Sequence, residues 1–281
     1  MNKRVFVVSV YGGLCNRLRV LISAIAYCER FNCTLLVRWP LLDGFMATLP
    51  DLFDCPYRSI GPRTAKYLRS VARTFNGLYA GLNYAGKRID IVDSNHKPKL
   101  VTYVETIEKF GEPYLETSFP AHAHRLVPVP EISSVIRGFD DVFQHSTVVG
   151  VSVRHTNAHS KTLEASPPEW FIGRIKELQR SAPHMKVFLS CDSPAVSDQI
   201  RQSVTCEVLE LDKPFAFNTK ESIRAAVADL YLLGQARYIL GSYWSSFSDT
   251  AFEMRGKGAF ETSRDRSLDD SQIIKLLNGG P

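Results

Sequence analysis

The sequence predicts an α/β protein of two Rossmann-like, doubly wound parallel-sheet domains facing a cleft. Three observations predict it. The chain opens with an apolar β-branched strand, a glycine break, an amphipathic helix and a second strand, the first βαβ unit of an open parallel sheet. From Thr147 onward, short apolar runs alternate regularly with helix-length amphipathic runs. Between these regions "RLVPVPEI" carries two prolines and has the composition of a connection between halves. The expected domains are therefore residues 1–145 and residues 146–281. Ligands of such folds bind at the carboxyl ends of the strands.

Each element has a local cause. "RVFVVSV" is apolar and β-branched, and "YGG" breaks it. "LCNRLRVLISAIAYCERF" places Leu14, Leu18, Leu21, Ile22 and Ile25 at helical spacing. "TLLVRW" is a strand that Pro40 ends. Residues 41–145 are less regular: "LLDGFMATLPDLFDCPY" has the look of a loop with short helical turns, and "VTYVET" of a strand. Between them Arg63, Lys66, Arg69 and Arg73 recur at helical spacing, either as a solvated basic face or as a stripe facing phosphate. The second half runs strand "TVVGVSV", helix from Pro167 to about Ser181, strand "KVFLSC", helix from Pro194 and strand "CEVLEL". It continues with helix "KESIRAAVADLYLLGQA", strand "RYILGS" and helix "SDTAFEM". Two of its helices open with proline in the first turn, where the missing N–H costs nothing.

Composition narrows the function. The 281 residues are 44% hydrophobic and 22% charged, an ordinary globular balance. A net charge of +5 and a pI near 8.8 fall short of a dedicated nucleic-acid binder but suit a polyanionic small ligand. The six cysteines form no C-x-x-C pair and no Cys/His spacing suited to zinc, which implies a reducing compartment without a disulfide framework. The sequon Asn32-Cys33-Thr34 falls where a helix feeds a strand and is taken as chance. The first strand is too short for a signal-peptide core and no segment approaches membrane-spanning length, so a cytoplasmic protein without a membrane span is expected.

Four features carry polar chemistry at expected strand ends. Arg154 closes the first strand of the second half, in "VSVRHTN"; a planar, permanently charged guanidinium matches a phosphate, or equally pairs with a nearby carboxylate. Gly12 and Gly13, with Asn16 behind them, permit close approach of backbone to a ligand at a helix start, or serve helix–strand packing alone. Ser242, Ser245, Ser246 and Ser248 cluster before a helix, more hydroxyls than capping needs and a fit to an anion cradle. Asp229 lies amid a dense apolar helix face and needs a partner: Arg224 or Arg237 in a salt bridge, or a purine or ribose. The dinucleotide fingerprint G-x-G-x-x-G, the P-loop and G-x-S-x-G are absent. No D-x-D occurs, and no metal site is expected; arginine and helix N-termini would take over an ion's charge.

Taken in order, "GGLCNRLRVLISAIAYCERFNCTLLV", "VGVSVRHTN", "VFLSCDSP" and "SIRAAVADLYLLGQARYILGSYWSSFS" resemble the fucosyltransferase superfamily of GT-B fold, which includes the nodulation and N-glycan-core α-1,6-fucosyltransferases and the protein O-fucosyltransferases. The resemblance covers about residues 4–40 and 147–255 and is poor between them. The family's H-V-R-R-T-D is here Ser152-Val153-Arg154-His155-Thr156-Asn157. It implies that Arg154 binds the donor pyrophosphate, with His155 beside it, and that Ser152 replaces a histidine that holds guanine. It gives Asp229 a contact to guanine, Ser245 and Ser246 a place near the diphosphate, and Gly12, Gly13 and Asn16 a place facing the donor sugar.

The implied activity is inverting, metal-independent transfer of fucose from GDP-fucose to a hydroxyl of a glycan or protein, with no cofactor. Alignment on Pro167 puts Thr162 where the family's candidate base stands; Glu164, two residues on, is the expected base, Asp43 the fallback, and His155 and His159 further candidates. The alternatives are the same fold with another nucleotide sugar, a non-catalytic nucleotide- or glycan-binding module, and RNA binding on the Arg63–Arg73 face; the nearby aromatics do not form stacking platforms, and no nucleic-acid partner is expected.

Overall fold

In the first strand, β1 (Arg4–Val10), every residue from Phe6 onward is buried, Ser9 included. A strand covered on both faces belongs in the middle of a parallel sheet. The computed structural model describes residues 4–42, 44–74, 78–80, 99–107, 109–110, 119–156, 158–216, 218–256 and 258–279. The chain divides into two compact units, residues 1–129 with 218–223, and residues 130–217 with 224–281.

In the first unit β1 leads through α1 (Leu14–Phe31) to β2 (Cys33–Arg38), α2 (Leu49–Leu52), β3 (Phe53–Asp54) and β4 (Arg58–Ser59). It continues through α3 (Pro62–Thr74), β5 (Leu78–Ala80), β6 (Val101–Thr106) and β7 (Val127–Pro128). Five of these strands form a parallel sheet in the order β4-β2-β1-β6-β5, while β3 and β7 pair antiparallel. Leu18, Leu21, Ile22 and Ile25 lie buried on α1, each worth roughly 1.5–3 kcal/mol of burial. The helix ends at Asn32, whose left-handed backbone (φ 50°) sends its N–H back to the carbonyl of Cys28.

The second unit begins earlier than the sequence suggests. Residues 130–145, expected with the first half, form α4 (Pro130–Arg137) and α5 (Asp140–His145) and cluster with the second. The reason is aromatic packing: the rings of Phe139 and Phe143 lie 5.7 and 5.9 Å from that of Phe188. The chain then runs β8 (Val148–Val153), α6 (Ser160–Ala165), α7 (Pro168–Ser181), β9 (Lys186–Cys191), α8 (Pro194–Ser203) and β10 (Val208–Leu209). It ends with α9 (Lys220–Gln235), β11 (Tyr238–Gly241), α10 (Ser246–Arg255), β12 (Ala259–Glu261) and α11 (Asp270–Asn278). The parallel order is β10-β9-β8-β11-β12, with β8 central and all its residues buried. Val151, Leu189 and Leu240 pack with Phe171, Ile175 and Ile200 from α7 and α8 in one core. Arg255 donates to the carbonyls of Gly234, Gln235 and Ala236 and so caps the end of α9. Among the described residues no helix is long and apolar enough to cross a membrane. The six cysteines are free thiols.

Gly241 ends β11 where α10 crosses closest. A Cβ there would lie 2.5 Å from Ser248 Oγ, 2.6 Å from Ser248 Cβ and 2.7 Å from the Phe260 ring. We expect Gly241→Ala to destabilise the protein by about 1–3 kcal/mol, measured by urea unfolding; wild-type stability would refute the packing. In the first unit Asp51 accepts from Thr48 N–H (2.8 Å) and Oγ (2.6 Å) and pairs with Lys220. Burial alone would raise its pKa, but Lys220 and the Thr48 donors outweigh it and hold the carboxyl at about 2. A depressed acid stabilises the fold fully above its unfolded pKa and loses that contribution as pH falls through its folded one. Wild type should therefore lose about 1–2 kcal/mol more than Asp51→Asn between pH 5 and pH 2, in urea titrations at each pH.

Candidate functional site

Parallel pairing of β8 with β9 sets Val153 opposite Cys191, so the next residues, Arg154 and Asp192, leave the sheet side by side. Asp192 Oδ2 lies 3.3 Å from Arg154 Nε. Asp192 Oδ1 accepts the backbone N–H groups of His155 (2.7 Å) and Thr156 (2.9 Å), and Thr156 Oγ1 donates to the Asp192 carbonyl (3.0 Å). One carboxylate thus ties down the start of the loop after β8 and orients its arginine. From the other neighbouring strand, the buried Ser242 Oγ accepts the Arg154 N–H at 2.9 Å, and the Ser242 N–H donates to the carbonyl of Ser152 at 3.0 Å. The Arg154 side chain remains 39% exposed, and among the described residues nothing engages its two terminal nitrogens. The guanidinium is shared with a protein acid but not locked by it.

The serine segment after β11 divides by role. Ser242 and Ser248 are buried and used internally, Ser248 Oγ donating to the Ser245 carbonyl at 3.2 Å. Ser245 is the extended N-cap of the ten-residue α10, and its hydroxyl makes no capping bond. Ser246 follows, half-buried. These two hydroxyls, with the N–H groups that any helix start leaves open, make a set of donors beside the Arg154 loop. Between Ser242 and Ser245, Tyr243 N–H is taken by Ser166 Oγ (2.8 Å). Trp244 stands 60% exposed with φ +61°. His159 meets its ring edge-on at 5.1 Å and Lys161 Nζ lies 4.9 Å from its centroid.

Asp229 is not paired with Arg224 or Arg237. Its Oδ2 accepts from Lys213 Nζ at 2.5 Å and from Ser190 Oγ at 2.9 Å, because α9 lays it against the end of β9 and the segment after β10. Its Oδ1 is buried and has no hydrogen-bond partner among the described residues. Burial pushes the carboxyl pKa up, against the pull of Lys213 and Ser190. The carboxylate is 3% exposed.

At the carboxyl edge of the first sheet, Gly12 has φ +77°, a geometry glycine adopts without strain; Gly13 is the extended N-cap of α1, without a side-chain cap. An added Cβ on Gly12 would lie 3.0 Å from Asn16 Nδ2, so Asn16 packs over the turn. Arg17, just behind, is fully buried: Nε donates to Gly12 O (2.8 Å) and Nη1 to Pro40 O (2.9 Å). Its guanidinium lies 4.0 Å from the Phe45 ring centroid and 5.2 Å from that of Trp39. Burial lowers its pKa to about 10. Arg69, in the basic stripe, is paired: Nη2 is 2.5 Å from Glu105 Oε1, which also accepts from Tyr11 Oη (3.2 Å). Arg63, Lys66 and Arg73 are exposed.

The structure therefore gathers Arg154, His155, Ser245 and Ser246 at one sheet edge. Ser152 lies buried inside β8, where its carbonyl serves Ser242. Glu164 is exposed on α6, and Thr162 is buried. His159 Nδ1 accepts the Lys161 N–H at 3.2 Å. Asp43 and Asn157 lie outside the described residues. Among the described residues no group of three His, Cys, Asp or Glu side chains could hold a metal ion. Sequence reasoning missed Asp192, Lys213 and Arg17. Asp192 was signalled by its place directly after a strand that pairs with β8. Arg17 was signalled by an arginine three residues from Leu14 and four from Leu21, on the apolar face of α1. Lys213 had no pattern to mark it. Removing the carboxylate in Asp192→Ala should speed amide exchange at His155 and Thr156 by about tenfold or more, followed by NMR hydrogen exchange; unchanged rates would show that the loop is held otherwise.

No family model and no curated protein matches the chain at the level of sequence. Solved structures do. A variant of Arabidopsis thaliana FUT1 in complex with GDP is similar at 15% identity and TM-score 0.64, covering 92% of this chain and 70% of that one. The fucosyltransferase NodZ from Bradyrhizobium is similar at 18% identity and TM-score 0.58, covering 96% of each. POFUT1 in complex with GDP-fucose is similar at 12% identity and TM-score 0.57, covering 93% of this chain and 98% of that one. At such identities the likeness is one of fold: the chain has the GT-B architecture of two Rossmann-like α/β units that these proteins have.

Proposed function

We propose that the chain is an inverting glycosyltransferase that moves fucose from GDP-fucose to a hydroxyl of a glycan or protein, without a metal ion. The observation that carries this reading is Arg154: a half-exposed guanidinium at the end of a central parallel strand, steadied through one nitrogen, with its other two unengaged. That NodZ, soaked with GDP-fucose, and POFUT1, in complex with it, share the fold supports a guanosine diphosphate sugar as donor.

In the proposed reaction the acceptor oxygen forms a bond to the anomeric carbon from the face opposite the diphosphate. The bond from that carbon to the diphosphate breaks, and its electron pair stays on the distal phosphate. Arg154, the hydroxyls of Ser245 and Ser246, and the α10 N-terminus would meet that growing charge, which lowers the barrier only as far as they bind it better than the ground state. Asp229 Oδ1 would take a base N–H. The hydroxyl proton passes to a base, for which exposed Glu164 is the first candidate and Asp43 the second; His155 and His159 are the imidazole alternatives. A second reading, the same reaction with another nucleotide sugar, is favoured by one contact: Lys213 occupies one oxygen of Asp229 and leaves a single acceptor for the base.

Isothermal titration with GDP, UDP and ADP, and incubation of GDP-fucose with mixed glycan acceptors, test both readings. GDP should bind selectively, and EDTA should leave transfer unchanged. Arg154→Ala should lower transfer on the order of 10³-fold, by analogy with arginines in phosphoryl transfer. Selective UDP or ADP binding favours the second reading; GDP binding without transfer makes the chain a binding module. GDP affinity and turnover unchanged in Arg154→Ala would overturn the site.

A further inference from the structure

Arg154 alone is a poor substitute for a divalent ion. A nucleoside diphosphate leaves with more than one negative charge, and Arg154 already shares its single positive charge with Asp192. The chain after β8 carries a second cationic side chain, on α6. Lys161 is exposed, and no carboxylate among the described residues pairs with it; its ammonium rests instead by the ring of Trp244, 4.9 Å from the centroid. Trp244 is an odd residue for its place. A bulky side chain with φ +61° costs free energy, and at 60% exposure burial does little to offset it. His159 braces the ring edge-on at 5.1 Å. The ring is one residue from Ser245 and two from Ser242, whose hydroxyl holds the Arg154 N–H at 2.9 Å. A strained, exposed indole braced on one side and carrying an unpaired ammonium has the attributes of a holder for that ammonium.

We propose that Lys161, held on Trp244, is a second diphosphate-binding cation of this site and engages the distal phosphate, where charge grows as the sugar departs. The proposal rests on the reading that a nucleoside diphosphate sugar binds at this edge of the second sheet. A cation–π contact suits the role, because it keeps a flexible ammonium in place without neutralising it, as a carboxylate would. When the diphosphate arrives, the lysine exchanges the ring for a charge-assisted bond.

Titration calorimetry with GDP and GMP at fixed salt tests it. Lys161→Ala should weaken GDP by about tenfold or more and leave GMP unchanged, since only GDP carries the distal phosphate. Trp244→Ala should shift GDP in the same direction by less, and Trp244→Phe, which keeps a ring face, should restore it. Thermal melting of each variant separates these effects from folding. GDP affinity retained in Lys161→Ala, or GDP and GMP weakened together, would overturn the proposal. If wild type prefers UDP, the GDP reading fails and the same comparison with UDP and UMP decides on Lys161. Binding of no nucleoside diphosphate would sink both.

Discussion

The carboxylate of Asp192 is the point on which the second unit's polar edge depends. A parallel sheet delivers its strands to one edge and then leaves the backbone of the following loops without sheet partners. After Arg154, whose N–H goes to Ser242, those partners come from one side chain, which accepts two consecutive N–H groups with one oxygen and faces the Arg154 guanidinium with the other. Charge-assisted bonds of this kind are about twice as strong as neutral ones. Three groups that would otherwise move separately are held to one anchor. The anchor is itself set by sheet register, since it follows Cys191 directly.

Around that anchor, the unit sorts its polar groups by whether the protein uses them up. Ser242 and Ser248 are consumed by packing. Ser190 and Lys213 are consumed by one oxygen of Asp229. Among the described residues, the groups left over include the terminal nitrogens of Arg154, the hydroxyls of Ser245 and Ser246, the ammonium of Lys161 and the second oxygen of Asp229. All but the last are donors, and they gather by the loops that follow β8 and β11. Donors gathered at a sheet edge are what an anion requires.

Most of the architecture was legible because it rests on period and punctuation. The helix of residues 14–31 and the strands around it follow from apolar spacing and the glycines that precede it. The alternation after Thr147 likewise maps onto β8, β9, β11 and the helices between them. The short strands β4, β5 and β12 escaped, being two or three residues long and set by pairing with a neighbour rather than by their own composition. So did α4 and α5, whose place is decided by Phe139 and Phe143 finding Phe188, a contact far along the chain. A candidate site residue was legible where one residue type has few uses at a strand end, as with Arg154. It was illegible where a pair decides the role: nothing in the local sequence of Lys213 points to Asp229, sixteen positions on.

The buried arginine of the first unit carries a mechanical consequence. Arg17 is rigid and planar, and through Nε and Nη1 it holds the carbonyl of Gly12, after the first strand, and that of Pro40, after the second. Phe45 and Trp39 flank it. Two segments that loop physics would let wander independently are thereby welded into a single lever: displacing Gly12 drags Pro40 with it. Homologous swaps or grafts in either segment must carry this clasp along, or exchange both ends together.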